Sequence, residues 1–393
     1  MDGNDKIDRR DFLVKTAGVA GGATALTGAA LTPAHAQTPL PPGFKDQKPL
    51  QDYWEKKLQE IVTVDLTKDA PELAHPAVKE RHRIYCHLLM KLIHRFWNGN
   101  KRGPFGEYPL RAKQLESQQA PGRYHGDMIA NPEGLRVNWD RYLGHNIACI
   151  AVDGNGEIID FDFNHNDFFR SSAEHAESRM VRRLFGLTNI FDTWKTGNPI
   201  GDKSRAASLN EVTLYTSLES CAQCSGVMSL AGVKQIVYLQ NDFTAYMIGN
   251  IMFNLANRNG STPGAPIPIA ASEIGLAQFK ALNDANLAFA KKMNDADKSK
   301  PKEAFFIPQD GGRPDFSPSI TSFLCTDDAR DIFAEGGKVL DTMQPEFPEH
   351  RFPNQADGKN HADILTNAQC LKEAREFFKY ADIEGYRGSP HKL

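Results

Sequence analysis

The chain has 393 residues, of which 40% are hydrophobic and 24% charged, and its formal net charge is −3. This is the composition of an ordinary soluble globular protein, and the length allows a large core in several domains or in one domain with insertions. The slightly acidic balance indicates no strong electrostatic attraction to nucleic acid or to anionic membranes.

The first 36 residues resemble a twin-arginine export signal. Arg9-Arg10 precedes an uncharged run rich in Ala and Gly, and Ala34-His35-Ala36 then provides a small-x-small cleavage site. Because this run is weakly hydrophobic and Gly-rich, we expect no permanent membrane span. The resemblance predicts a periplasmic or secreted protein, and the alternative is an unstructured cytosolic tail.

A Pro-rich linker and N-terminal extension, residues 37–75, precedes the first strong helix signal. Pro76 suits the first turn of a helix, and apolar residues then recur every four positions. These residues are Ile84, Leu88, Leu92 and Phe96. Gly99 predicts the end of this helix. Residues 99–140 show no clear period and contain several turn signals, so we interpret them as an irregular insertion.

Residues 145–242 give the clearest pattern in the chain. Two apolar runs, NIACIAV and EIIDFDF, flank Asp153-Gly154-Asn155-Gly156, which predicts a β-hairpin. There follow a helix (HAESRMVRRLFGL), a strand (EVTLYTSLE), a helix ending at Gly232 (CAQCSGVMSLAG) and a strand (VKQIVYLQ). This order predicts an α/β fold in which helices pack on a single sheet.

The remaining third alternates helix signals with segments rich in Pro and Gly. Three helices are predicted, SEIGLAQFKALNDANLAFAKKM, ITSFLCTDDARDIFAEGGKVL and NAQCLKEAREFFKYA, whereas GSTPGAPIPIA and similar segments are interpreted as loops. We therefore predict a main domain over residues 76–345, with insertions at about 99–140, 187–210 and 256–318, followed by a helical C-terminal extension over 346–393.

Four side chains at two predicted helix starts suit a metal site. His175 and Glu177 begin one helix, and Cys221 and Cys224 begin another, each after a strand and a loop. Such helix N-termini gather at one edge of a sheet, so one imidazole and two thiolates can converge. This ligand set suits Zn²⁺ and leaves a fourth position for water. Glu177 would then lie close enough to move protons without binding the metal.

These motifs resemble the zinc-dependent deaminases of the cytidine deaminase-like superfamily, whose signature is His-x-Glu followed by Pro-Cys-x-x-Cys. The branch of tRNA adenosine deaminases and guanine deaminases is the most similar. The matching segments are Asn164, His175-Ala176-Glu177 and the stretch SLESCAQCSGV from Ser217. The resemblance implies a three-layer α/β/α sandwich with a central mixed sheet, and it places Asn164 where the family binds the base.

The resemblance also implies a chemistry. His175, Cys221 and Cys224 would hold one Zn²⁺ per chain with a bound water, and Glu177 would move protons from that water to the ring nitrogen and the departing ammonia. The implied activity is hydrolytic deamination of an aminated nucleobase, a nucleoside or a related small heterocyclic amine. The alternative substrate is tRNA or single-stranded nucleic acid, which export and the acidic charge disfavour. Pairing as a homodimer is carried over from the same branch.

Three departures from the family pattern bear on these expectations. Ser220 replaces the proline of the signature, and we expect its hydroxyl to cap the following helix. Residues 187–210 make a longer link between the two motifs, which we interpret as an added loop near the pocket. Residues 171–174, SSAE, stand where Asp-Pro-Thr-Ala is common in the family. Of the properties that the resemblance implies, the identity of the substrate is therefore the least transferable to this chain.

Other interpretations of the same residues stay open. Redox pairs and structural zinc sites also use CxxC, and Glu177 could be a fourth ligand in a closed, non-catalytic site. His165 is expected in a turn, and Arg182-Arg183 on a solvated helix face. The cysteines outside the motif lie in apolar runs and are expected in the core; they are Cys86, Cys149, Cys325 and Cys370.

Overall fold

Five strands form one sheet at the centre of the computed structural model of the chain. Their bounds are Ala148–Val152 (β1), Ile158–Phe163 (β2), Thr213–Thr216 (β3), Gln235–Tyr238 (β4) and Ile267–Ala270 (β5). The spatial order is β2-β1-β3-β4-β5. β1 pairs antiparallel with β2 and β3, whereas β3, β4 and β5 run parallel, so the sheet is mixed.

Helices surround this sheet. They are Leu66–Asp69 (α1), a 3₁₀ turn at Pro71–Ala74, Pro76–Arg95 (α2), Ala176–Gly186 (α3), Ala222–Ala231 (α4), Ile248–Arg258 (α5), Ala277–Asp295 (α6), Ile320–Phe323 (α7), Asp327–Thr342 (α8) and Asn367–Glu384 (α9). The residues that the structure describes are 64–97, 145–166, 171–186, 209–243, 247–258, 264–295, 319–351 and 364–384.

One face of the sheet packs against α2 and α9. The strand register places Phe161, Ile150 and Tyr215 side by side on this face. The Tyr215 hydroxyl lies 2.8 Å from Nδ1 of His82 in α2. The Phe161 ring meets the ring of Phe377 in α9, with 5.6 Å between the ring centroids. Aromatic and aliphatic contacts therefore hold this layer to the sheet.

The opposite face of the sheet packs against α3. The register places Asp162, Cys149 and Thr216 side by side on this face, since side chains alternate along a strand. Asp162 forms an ion pair with Arg179 of α3, and the Thr216 hydroxyl donates a hydrogen bond to Glu177 of the same helix. Helices thus cover both faces, which confirms the predicted α/β class and the three-layer sandwich with a central mixed sheet.

Local sequence signals explain where several elements begin and end. Pro76 occupies the first turn of α2, where its missing N–H costs nothing. Gly156 closes the β1–β2 hairpin with a φ of 90°, and Gly232 ends α4 with a φ of 65°. Residues with a Cβ rarely adopt either angle. The hairpin, α3, α4 and the strands around them are therefore confirmed.

Two parts of the last third differ from the prediction. The segment GSTPGAPIPIA contains β5, which is an edge strand parallel to β4, although its Pro and Gly content indicates a loop. An edge strand tolerates Pro268 because only one side of the strand must pair. The predicted helix ITSFLCTDDARDIFAEGGKVL is divided into α7 and α8, and the Thr326 side chain caps α8 at its start. Helix α5 was not predicted.

The predicted solvated face at Arg182-Arg183 is wrong for one of the two residues. Arg182 is exposed, but Arg183 is buried and forms ion pairs with Asp160 and Asp162 of β2. Adjacent residues point in directions about 100° apart on a helix, so one of a pair can face inward.

Several predictions concern segments outside the described residues. These segments are the export signal, the linker up to position 63, and most of the insertions at 99–140 and 187–210. Among the helices of the described ranges, none is both long enough and apolar enough to cross a bilayer.

Candidate metal centre

His175 and Cys221 stand directly before two helices on the same face of the sheet. His175 precedes the first residue of α3, and its carbonyl accepts a hydrogen bond from the backbone N–H of Arg179. Cys221 is the N-cap of α4 and has an extended backbone. The positive ends of both helices thus point toward the side chains of His175, Cys221 and Cys224, and this field favours thiolates.

The three predicted ligand side chains converge in space. Nδ1 of His175 lies 3.3 Å from the Cys221 sulfur and 3.6 Å from the Cys224 sulfur. All three ligand atoms lie within 4.8 Å of one another. Cys224 is buried, whereas His175 and Cys221 are partly exposed, so the cluster is open on one side.

These distances fit a tetrahedral Zn²⁺ site. With Zn–S of about 2.3 Å and Zn–N of about 2.0 Å, tetrahedral geometry separates nitrogen and sulfur ligands by about 3.5 Å. The two observed separations bracket that value. One neutral imidazole and two thiolates also form a familiar catalytic zinc set, with one position left over.

Glu177 lies beside this cluster, in the first turn of α3. Its side chain is buried, and Oε2 is 3.5 Å from the Cys224 sulfur, which donates to it. The cluster of mutually close ligand atoms among the described residues contains His175, Cys221 and Cys224 but not Glu177. This placement favours a carboxylate next to a three-ligand site over a closed four-ligand site.

The protonation of the cluster reflects its close contacts. A hydrogen bond from Cys224, with further help from His175, lowers the pKa of Cys221. The same hydrogen bond and burial raise the pKa of Cys224. Bonding to Cys221 raises the pKa of His175, and burial raises that of Glu177. One thiol of the pair therefore ionises more readily than a free cysteine and the other less readily.

Asn164 occupies the loop between β2 and α3. Its amide oxygen accepts a hydrogen bond of 2.6 Å from the backbone N–H of Ala176, which is the first residue of α3. Asn164 therefore holds the start of the helix that carries Glu177, and the base-binding role implied by the resemblance stays a prediction. His165 lies in the same loop with Nδ1 at 2.8 Å from the Phe163 carbonyl, as expected for a turn residue.

The sequence did not indicate which residues hold Glu177. The hydroxyls of Thr216 and Ser220 both donate to Oε1 of Glu177, each at 3.2 Å. The predicted capping role of Ser220 is wrong, because α4 has no side-chain cap and its N-cap is Cys221. The Ser220 side chain turns instead toward α3. The serine that replaces proline in SLESC was the sequence feature that could have indicated this contact. Its partner, Glu177, lies 43 residues away in the chain.

Two further polar side chains lie outside the cluster, and one of them, Ser178, contacts it directly. The Ser178 hydroxyl lies 3.4 Å from the Cys224 sulfur, and Gln223 donates to Ser178 at 3.2 Å and to the Ala173 carbonyl at 2.8 Å. Such outer contacts orient metal ligands. The remaining four cysteines are buried, as predicted, and they form no disulfide.

The fold and the site define an α/β protein with a His-Cys-Cys candidate metal centre beside a buried carboxylate. No protein-family model matches the chain, and no curated protein matches it. One solved structure comes from studies of A-to-I editing by tRNA:A34 deaminases at the wobble position of transfer RNA. It shares 20% sequence identity over 33% of this chain and 83% of that chain, with a TM-score of 0.23.

Proposed function

We propose that the chain is an exported, zinc-dependent hydrolytic deaminase that acts on an aminated nucleobase, a nucleoside or a related small heterocyclic amine. One observation supports this most directly. Three metal-ligand atoms lie within 4.8 Å of one another, and the buried Glu177 carboxylate lies next to them without joining the set. A metal with an open position and an adjacent general acid/base is what hydrolysis of an amine-bearing carbon requires.

The residues divide the work as follows. His175, Cys221 and Cys224 hold the metal, which when bound supplies a Lewis acid that activates water near neutral pH. Glu177 takes a proton from the attacking water and returns protons to the ring nitrogen and the departing amine. The carbon gains an oxygen from water and loses ammonia, so the reaction needs neither an oxidant nor a reductant.

Asn164 enters the proposal as the residue that contacts the base. Because its amide oxygen already accepts from the Ala176 N–H, a contact with substrate would come from its amide nitrogen. The nitrogen would donate to an acceptor on the heterocycle. This role and the capping role are compatible, since they use different atoms.

Export and pairing are separate parts of the proposal. The order of Arg9-Arg10, the apolar run and Ala34-His35-Ala36 supports export through the twin-arginine pathway. Cell fractionation of the natural chain and of an Arg9→Lys/Arg10→Lys variant tests it, and we expect only the natural chain outside the cytoplasm. We also propose a homodimer, which sedimentation of the mature protein tests directly.

The activity test is ammonia release by zinc-loaded protein beginning at position 37. The panel contains free bases, nucleosides and short single-stranded oligonucleotides, and Glu177→Ala is the control. We expect the variant to bind one Zn²⁺ and to lose turnover, because it retains all three ligands but lacks the proton carrier. Release from a base or nucleoside supports the proposal.

The same panel distinguishes the alternatives. Glu177-dependent release from oligonucleotides alone would replace the small-molecule substrate by a nucleic acid. Equal activity of wild type and Glu177→Ala would overturn the mechanism. One bound Zn²⁺ with no release from any compound would favour a non-catalytic zinc protein.

A further inference from the structure

The carboxylate of Glu177 has an asymmetric environment. Both hydroxyl donors, Thr216 Oγ1 and Ser220 Oγ, bind the same oxygen, Oε1, at 3.2 Å each. The other oxygen, Oε2, faces the Cys224 sulfur at 3.5 Å. One oxygen is therefore held by hydroxyl groups of the protein, and the other is directed toward the metal ligands.

All three side chains are removed from solvent. Exposure is 3% for Glu177, 0% for Thr216 and 4% for Ser220. In such a place water cannot readily replace a lost hydroxyl donor, and hydrogen bonds to a charged acceptor are among the stronger ones in proteins. The orientation of the carboxylate thus depends on these two hydroxyls.

The two donors come from different elements. Thr216 is the last residue of β3, and Ser220 lies in the turn directly before Cys221, the N-cap of α4. A single donor would let the carboxylate pivot about one hydrogen bond. Two donors carried by separate backbone segments restrict that rotation. A catalytic side chain must be held within about 0.5 Å of its productive position, so such restriction is expected.

We infer that Thr216 and Ser220 are positioning residues that hold Glu177 beside the metal centre but outside its ligand set. This inference rests on the proposed function. The positioning role goes beyond the proposed function, because the signature motif has proline at the position of Ser220, and proline has no hydroxyl. When either hydroxyl is removed, the carboxylate gains the freedom to turn toward the metal, where it would compete with water for the fourth position.

The first experiment measures kcat and KM for a set of matched variants. Thr216→Val keeps the side-chain shape and removes the hydroxyl, whereas Thr216→Ser keeps the hydroxyl. Ser220→Ala removes the second donor. Ser217→Ala is the control, because the buried Ser217 hydroxyl lies in the same segment but bonds the Ala148 N–H rather than Glu177.

We expect Thr216→Val and Ser220→Ala each to lower kcat about ten-fold with little change in KM, since each removes one hydrogen bond to a charged group. The double variant should lose more than either single variant. Thr216→Ser and Ser217→Ala should stay within about two-fold of wild type, and every variant should bind one Zn²⁺.

The second experiment does not depend on turnover. Wild type, the Thr216→Val/Ser220→Ala double variant and this double variant with Glu177→Ala are loaded with Co²⁺, and the visible absorption of the bound ion is recorded. We expect a spectral shift in the double variant, because the released carboxylate enters the coordination sphere. The added Glu177→Ala substitution should abolish that shift.

The outcomes separate this inference from the function on which it rests. Absence of ammonia release by wild type counts against the proposed function, and the cobalt spectra still test the positioning role. A double variant as active as Ser217→Ala would overturn the inference, as would a cobalt spectrum that the double variant leaves unchanged.

Discussion

Arg179 and Asp162 form an ion pair inside the protein, with 3.2 Å between Nε and Oδ2 and both side chains almost fully buried. Asp162 belongs to β2 and Arg179 to α3, so the pair connects the sheet to the helix that follows His175. Arg179 also binds Glu174, which lies one residue before His175. The position of the candidate metal centre thus depends partly on this buried ion pair.

Replacing Asp162 by Asn should lower the free energy of unfolding by about 3 kcal/mol, because Arg179 and Arg183 both lose a buried carboxylate partner. Arg182→Ala is the matched control. Arg182 pairs with Glu174 from the surface, where its side chain is 58% exposed, and such pairs contribute about 0.5 kcal/mol or less. Urea denaturation of zinc-free protein measures both variants. Equal losses would contradict the structural role of the buried pair.

Two substitutions at Asn164 should separate its structural role at the start of α3 from its proposed role in binding the base. Asn164→Ala removes the acceptor for the Ala176 N–H and should destabilise the protein by about 1 kcal/mol, as loss of an N-cap does. Asn164→Asp keeps an acceptor oxygen and should be destabilised less. If the amide nitrogen binds substrate, both variants should raise KM, and thermal unfolding together with steady-state kinetics measures the two effects. A stable Asn164→Asp enzyme with normal KM would exclude the base-binding role.

Metal removal should expose one cysteine selectively. All six cysteines lie in described segments, and Cys221 is partly exposed whereas the other five are buried. After chelation under reducing conditions, iodoacetamide should alkylate Cys221 first, because its thiol is accessible and its pKa is lowered by Cys224 and His175. Zn²⁺ should protect it. Peptide mass spectrometry gives the extent of labelling at each cysteine, and equal labelling of Cys221 with and without Zn²⁺ would count against its role as a ligand.

His82 should make the protein sensitive to acid. Burial, with smaller effects of Arg81 and Lys234, lowers the pKa of His82 from 6.5 to about 3. Below pH 6.5 the unfolded chain takes up a proton that the folded protein refuses, so folding stability falls as the pH decreases. Between pH 8 and pH 5 the titration of His82 should lower the free energy of unfolding by about 2 kcal/mol.

The matched variant for this effect is His82→Gln, which cannot titrate. It should lose about 2 kcal/mol less than wild type when unfolding is compared at pH 8 and pH 5. Contributions from the metal ligands cancel in this comparison, since both proteins retain them. Parallel loss of stability in the two proteins would show that His82 is not buried in its neutral form.

Local signals made much of the fold predictable. The hairpin follows from Asp153-Gly154-Asn155-Gly156, and α4 ends where Gly232 supplies a left-handed residue. The convergence of His175, Cys221 and Cys224 was predictable because each motif follows a strand and a loop, and the sheet gathers such positions at one edge. No distant contact had to be known for these predictions.

Three of the errors share a different physical origin. Strand β5 contains Pro268 and exists because the edge of β4 pairs with it, which a local pattern cannot show. The direction of Arg183 is decided by Asp160 and Asp162, about twenty residues earlier in the chain. Likewise, the role of Ser220 depends on a carboxylate in another helix. In each of these three cases the partner of the side chain or strand is remote in sequence.

Neighbouring residues of β3 point in opposite directions. Tyr215 faces His82 on one side of the sheet, and Thr216 faces Glu177 on the other. β3 is also paired on both edges, with β1 and with β4. A saturation mutagenesis map of this strand should therefore show no tolerant alternate positions. Substitutions at Tyr215, which faces away from the candidate metal centre, should also alter the effect of substitutions at Thr216, because the two residues share one peptide unit.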